Sequence, residues 1–242
     1  MIIALISDIH ANLEALTAVL KDIESRQVDA VYCLGDVVGY GAQPAECLEL
    51  VNKTCKVKLI GNHEYAAMGL VSTEKYNVAA RTANDWTKSQ LTDREIAIMA
   101  DFDIDHLEDP CYFVHSSPWQ PDQWHYIVSP VDAQMAFEHM STRLCFFGHS
   151  HVPLIAVENG DELPRCKVGH SFLPDPEGRY LINVGSVGQP RDSDPRACYV
   201  VVDVGESEVD FCRVEYDIKQ AQQGMLHAQL PEPLISRLEV GR

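Results

Sequence analysis

The stretch Ile2-Ile3-Ala4-Leu5-Ile6-Ser7-Asp8-Ile9-His10 decides how this chain is read. An unbroken apolar run of this length has the character of a buried strand, and it stops on two side chains that ligate metals. The same construction recurs. Asp36 follows Ala30-Val31-Tyr32-Cys33-Leu34, and Asn62 follows Val57-Lys58-Leu59-Ile60. His115 follows Cys111-Tyr112-Phe113-Val114, while His149 and His151 follow Leu144-Cys145-Phe146-Phe147. Open α/β sheets place their ligand sites just past the carboxyl ends of the strands. Asp8, His10, Asp36, Asn62, His115, His149 and His151 are therefore expected to meet at one point, a dinuclear metal site on an α/β fold.

Around these runs the first 65 residues alternate strand and helix. Leu13, Leu16, Leu20 and Ile23 trace one helical face behind an Asn12 N-cap. Pro44 suits the first turn of a second helix with Cys47, Leu48 and Val51 on its apolar side. Residues 72–108 show no strand pattern and read as a helical insertion, within which Thr92-Asp93-Arg94-Glu95 is a capping box. Further strands are expected at 111–114, 144–147, 152–157, 180–184, 198–204 and 208–215. The last two read as a hairpin turning at Gly205-Glu206-Ser207. The tail from about 218 to 242 is expected to be weakly helical to Leu230 and then interrupted by Pro231 and Pro233. No linker separates domains, so residues 1–242 read as one domain.

Composition narrows the function. The 242 residues carry a formal net charge of −17 and 46% hydrophobic residues, enough for a substantial core and opposite in sign to a surface that grips long nucleic acid. Eight cysteines without C-x-x-C spacing, three of them inside apolar runs, read as reduced thiols in a cytoplasmic protein. Neither a signal peptide nor a membrane span is expected.

Imidazole mixed with carboxylate suits Mn, Fe, Zn or Ni, so two divalent or trivalent ions are the expected cofactors. Asp36, central among the strand ends and flanked by glycine, is the natural bridging carboxylate, and a bridged pair of cations activates water against a phosphate ester. Within Asp8-x-His10 and His149-x-His151, residues two apart in an extended segment share a side. Each ligand alone has an ordinary reading as a turn residue or a hydrogen-bonding histidine. A generic α/β fold does not account for the doublets and the repeated placement together.

Asp8-Ile9-His10, Gly35-Asp36-Val37-Val38-Gly39, Gly61-Asn62-His63-Glu64, His115 and Gly148-His149-Ser150-His151 resemble, in order and spacing, the motif set of the calcineurin-like metallophosphoesterases. The resemblance extends through Asn183-Val184-Gly185-Ser186-Val187-Gly188 and covers about residues 1–217. It implies a four-layer α/β/β/α sandwich with two central mixed β-sheets. It also implies Asp8, His10, Asp36 and His151 on one metal, and Asp36, Asn62, His115 and His149 on the other. His63 would be the general acid, with a metal-bridging hydroxide as nucleophile. Protein phosphatases of the superfamily carry an Asp-Arg pair where this chain reads Val38-Gly39-Tyr40, which turns the expectation toward a small phosphodiester or nucleotide. A broad-specificity phosphomonoesterase is the alternative enzyme, and a non-catalytic metal-binding scaffold the alternative class. Arg191 is the candidate for the missing phosphate-binding arginine, and Trp119 in the aromatic segment 116–126 the candidate for stacking on substrate. Trp124 reads as a loop anchor. Glu64 and Asn12 are expected to orient ligands through hydrogen bonds.

Overall fold

The computed structural model describes residues 1–74, 76–205 and 208–242. One mixed sheet contains β1 (Ile2–Ile6), β2 (Ala30–Cys33), β3 (Val57–Lys58), β10 (Ala197–Asp203) and β11 (Glu208–Val214), in the order β11-β10-β1-β2-β3. The other contains β4 (Asp105–Glu108), β5 (Cys111–Val114), β6 (Leu144–Phe147), β7 (Leu154–Asn159), β8 (Glu162–Val168) and β9 (Tyr180–Asn183), in the order β4-β5-β6-β9-β7-β8. β1 pairs parallel to β2 and antiparallel to β10, while β6 lies parallel to both β5 and β9.

Alternation along β1 shows why two sheets stack. Ile3 and Leu5 enter a core shared with Phe113, Phe146 and Ile182 of the second sheet. Ala4 and Ile6 point the other way, into a core with α1 (Leu13–Glu24) and α2 (Pro44–Thr54). Both faces of β1 are buried, so the strand reads as a continuous apolar run rather than as alternation. Outside the second sheet, α6 (Pro130–Glu138) packs Ala133, Ala136 and Phe137 onto Cys145 and Phe147. The result is the helix/sheet/sheet/helix layering that the resemblance implied.

Several local expectations match the structure. Asn12 Oδ1 accepts the Ala15 N–H at 3.1 Å, and Pro44 opens α2. The capping box starts α5 (Asp93–Ala100), with Glu95 Oε2 accepting the Thr92 N–H at 2.9 Å. All eight cysteines are free. β10 and β11 pair antiparallel as expected, whereas Glu206 and Ser207 of the anticipated turn lie outside the described residues.

Other expectations need correction. The stretch 72–108 is not wholly helical: α4 (Val78–Gln90) and α5 are followed by β4, an edge strand whose polar Asp-His-Leu-Glu carries no apolar alternation. β8 was not anticipated either, for the same reason, since its seven residues are mostly exposed. α6 escaped because its helix signal lies in Ser129-Pro130 and its cap rather than in a long apolar face. The tail helix is interrupted before Pro231 as expected, but the prolines open a second helix rather than ending helical structure. Pro231 is the N-cap of α8 (Glu232–Val240) and Pro233 occupies its first turn, where the missing N–H costs nothing. α8 follows α7 (Ile218–His227) and packs Leu234, Ile235 and Leu238 against Ala83 of α4 and the Tyr40–Ala42 turn. Among the described residues no helix is long and apolar enough to cross a membrane.

Candidate metal centre

The seven expected ligands converge where the strands of both sheets end. Donor atoms of Asp8, His10, Asp36 and His151 lie within 4.8 Å of one another, as do those of Asp36, His115 and His149. Asp36 belongs to both groups, and all six of these residues are buried. Asn62 begins α3 (Asn62–Met68) beside them and directs its side chain into the same cleft.

The backbone accomplishes this with conformations that side chains rarely adopt. Asp8, His10, Asp36, His149 and His151 all have positive φ, between 50° and 65°. Such residues cost on the order of 1–3 kcal/mol each and persist only where the surroundings overdetermine them. Here they are cross-braced. Asp8 and His10 N–H groups donate to the Gly35 and Asp36 carbonyls, each at 3.0 Å, and Gly188 N–H returns to the Asp8 carbonyl at 3.0 Å. Gly148 must be glycine, because a Cβ there would run into Ser7 and the Asp8 carboxylate.

Each imidazole is oriented through one nitrogen. Nδ1 of His10, His115 and His151 faces the carbonyls of Val38 (3.0 Å), Leu34 (2.8 Å) and Gln189 (2.7 Å). A carbonyl only accepts, so each Nδ1 carries the hydrogen and each Nε2 is left with its lone pair toward the cluster. Nε2 of His10 and His151 then stand 3.0 Å apart, a separation that two lone pairs tolerate only with a cation or proton between them. His149 Nε2 and Asn62 Oδ1 are buried without a hydrogen-bond partner, and His115 Nε2 meets only Asp36 Oδ2, at 3.3 Å. Buried groups of this kind are rare unless something binds them. The orphaned atoms and the nitrogen and oxygen donors together fit metal binding.

The electrostatics of His10, His149, His151 and Asp36 agree with the donor chemistry. Burial pushes His149 down to about 3, and burial with the neighbouring cationic groups pushes His10 and His151 well below the ordinary histidine range. Neutral imidazole is the form that binds metal. Burial also raises Asp8 to about 7. For Asp36 burial acts upward, but His115, His63 and His10 outweigh it and hold the carboxylate well below its usual range. His115 moves to about 9 because Asp36 and Asp8 overcome its desolvation.

Glu64 hydrogen-bonds the ligand Asp36 as expected, though through the Asp36 backbone, whereas Asn12 bonds no ligand among the described residues. Glu64 does not touch a ligand side chain. Its carboxylate accepts the N–H groups of Asp36 (2.9 Å), Val38 (3.0 Å) and Gly61 (2.8 Å), tying the Asp36 loop to the start of α3. Asn12 Nδ2 donates to the Gly188 carbonyl at 2.9 Å and so joins α1 to the loop after β9.

A cleft of ≈ 340 Å³ opens over the cluster, lined by His63, Asn62, His149 and His151 together with Tyr40, Tyr76, Tyr126 and Arg191. His63 is buried, its backbone N–H donates to Asp36 Oδ1 at 2.9 Å, and a Cβ at Gly39 would strike its ring. Arg191 reaches the cleft as expected. Trp119 does not: it stacks on His125 with ring centroids 4.1 Å apart, in a neighbouring cavity that shares only Tyr126 with this one. Trp124 packs edge-on against Tyr65 at 5.0 Å and anchors the loop. Two aromatic residues of that segment meet the cluster: Tyr126 stacks on His149 at 4.0 Å, and Trp124 lies edge-on to His115 at 6.0 Å. Tyr76, whose hydroxyl accepts from Asn62 Nδ2 at 3.0 Å, was also missed. Tyr126 was within reach of the sequence reading, since it lies in the aromatic segment already singled out. Tyr76 carries no sequence signal.

The comparisons with known proteins agree with this geometry. The model of the calcineurin-like phosphoesterase superfamily domain matches residues 1–207. The chain belongs to that superfamily. It is 41% identical to a metallophosphoesterase from Sphaerobacter thermophilus of known crystal structure, with a TM-score of 0.88 over 100% of this chain and 99% of that one. A Methanocaldococcus jannaschii protein is 39% identical over 244 residues, 99% of this chain and 98% of that protein. A hypothetical protein from Pyrococcus horikoshii OT3 shares the fold, with a TM-score of 0.81 at 19% identity over 100% of this chain and 98% of that one. The residues matched by the family model end before α7 and α8, and these helices share an apolar cluster with Tyr40 and Ala42.

Proposed function

We propose that this chain is a metal-dependent phosphoesterase that hydrolyses a small phosphodiester or nucleotide. Asp8, His10, Asp36 and His151 would hold one ion and Asp36, Asn62, His115 and His149 the other. The observation that carries the reading is the set of buried, unpartnered donor atoms grouped around a shared Asp36 at the base of an open cleft. Two ions in those positions would supply Lewis acidity toward a phosphoryl oxygen and an activated water.

The remaining work falls to the protein. Asp36 Oδ1 accepts the His63 N–H at 2.9 Å, so the bridging carboxylate also fixes where α3 starts and where the His63 ring stands. Burial pushes His63 below the ordinary histidine range, while the Asp36 charge opposes that shift. An anionic phosphoryl group in the cleft adds to the opposing side, which favours protonated His63 when substrate is present. His63 then donates its proton to the departing alkoxide. Tyr40 crowds the His63 ring at 4.5 Å and limits its rotation.

The test compares Mn-loaded protein acting on bis-p-nitrophenyl phosphate and on p-nitrophenyl phosphate, with His63→Ala as control. Faster turnover of the diester by the native protein is the expected result. With metal content intact, His63→Ala should lower the rate about 10²–10⁴-fold on an alkyl ester, whose alkoxide needs a proton, and far less on the p-nitrophenyl esters. Preference for the monoester would replace this reading by a phosphomonoesterase. Turnover of neither ester despite bound metal would favour the scaffold.

A further inference from the structure

The arginines near the cleft fall into two kinds. Arg196 meets Asp194 at 2.6 Å and Arg213 pairs with Asp192, so carboxylates are at hand in the loop that carries Arg191. Arg191 and Arg237 of α8 have no such side-chain partner: among the described residues no aspartate or glutamate lies within 4.0 Å of either guanidinium, and Arg237 Nε donates instead to the backbone oxygen of Arg242. The two converge on one neutral acceptor. Arg191 Nη2 donates to Gln189 Oε1 at 2.7 Å and Arg237 Nη1 donates to the same oxygen at 3.0 Å. Arg191 Nε is buried and unpartnered, and the guanidinium stands 5.7 Å from the centre of the Tyr40 ring. Burial and the nearby Arg191 push Arg237 below the usual arginine range.

We propose that Arg237 is a positioning residue that, with Arg191, selects substrates bearing a second anionic group beside the phosphoryl held at the metal cluster. This deepens, and rests on, the phosphoesterase reading. In a chain with 36 acidic and 19 basic side chains, two guanidiniums side by side without an aspartate or glutamate repel each other, and an anion between or beside them removes the conflict. Guanidinium is the side chain suited to gripping phosphate through several N–H groups at once. Arg237 acts through Gln189, occupying one side of the amide oxygen so that the rest of the Arg191 fork faces the cleft. Its backbone is held in turn, because Ser193 N–H donates to the Gly241 carbonyl at 2.8 Å and fastens the end of α8 to the Arg191 loop.

Adenosine monophosphate and diphosphate differ by one phosphate and serve as matched probes of the full-length Mn-loaded protein. Two readouts are taken: inhibition of p-nitrophenyl phosphate hydrolysis, and the ligand-induced rise in melting temperature, which needs no turnover. The native protein should bind the diphosphate about ten-fold more tightly than the monophosphate, as one additional charge-assisted contact implies. Arg237→Ala should collapse that ratio, and Arg237→Lys should restore part of it. Gln189→Glu, which places a carboxylate between the guanidiniums, should raise the melting temperature while lowering the ratio. Structural arginines alone would leave the ratio unmoved in Gln189→Glu. Equal affinities in the native protein, or an undiminished ratio in Arg237→Ala and Gln189→Glu, would overturn the proposal. Loss of esterase activity toward every ester, with the melting-shift ratio still following Arg237, would sink the phosphoesterase reading and leave the anion pair standing.

Discussion

At the floor of the cleft, every ligand imidazole and carboxylate is buried and held from behind by backbone atoms of a neighbouring loop. Along its walls, Tyr40, Tyr76, Tyr126 and Arg191 are partly exposed and come from segments far apart in the chain. The floor is built from strand ends whose left-handed residues are locked by hydrogen bonds to adjacent strand ends. The walls are contributed by the loop after β2, the segment leading into α4, the aromatic loop and the loop after β9, and α8 braces them through Gln189 and the Tyr40–Ala42 turn. The contrast teaches that the chemistry is anchored where the fold is most constrained, whereas selection of substrate is left to parts that pack on it.

Breaking the floor should give the largest effect. Asp36→Asn removes the shared carboxylate and the acceptor beside His63 and should abolish turnover, with metal content falling below two ions per chain in elemental analysis. If the variant retained both ions and native rates, the floor would not be a bridged site at all. Glu64→Ala should come next. It orphans three buried N–H groups, each costing about 1–3 kcal/mol, so urea unfolding should show a loss of about 3 kcal/mol or more. A loss below 1 kcal/mol would mean that the Asp36 loop holds its shape without this brace. Trp119→Ala should have the smallest effect on selectivity, because the indole is spent on His125. The ratio of rates on nucleotide and non-nucleotide esters should stay within about two-fold of native, the scale of changes at residues outside a contact. A larger change would extend the wall into the neighbouring cavity.

Legibility followed the same division. Asp8, His10, Asp36, His115, His149 and His151 could be read because a buried strand between two layers must be apolar throughout, and its polar stop is conspicuous. Asn62 and His63 were legible only through their place after β3, since that strand is two residues long in the structure. Edge strands β4 and β8 were not legible, because a strand with one open side needs no apolar signature. In the aromatic loop, residue type pointed to Trp119, yet packing turned it onto His125 and decided that Tyr126 would stack on the cluster.

From the sequence alone follow the family, the strand-end placement of the ligands and the histidine beside Asn62, because these depend on contiguous motifs. Tertiary structure alone decided which nitrogen of each imidazole is free, that Glu64 braces a loop and that Trp119 faces away. It also decided that Arg237, 46 residues from Arg191 in the chain, shares its acceptor. Those facts depend on distances between segments, and residue type does not encode such distances until the chain has closed around its core.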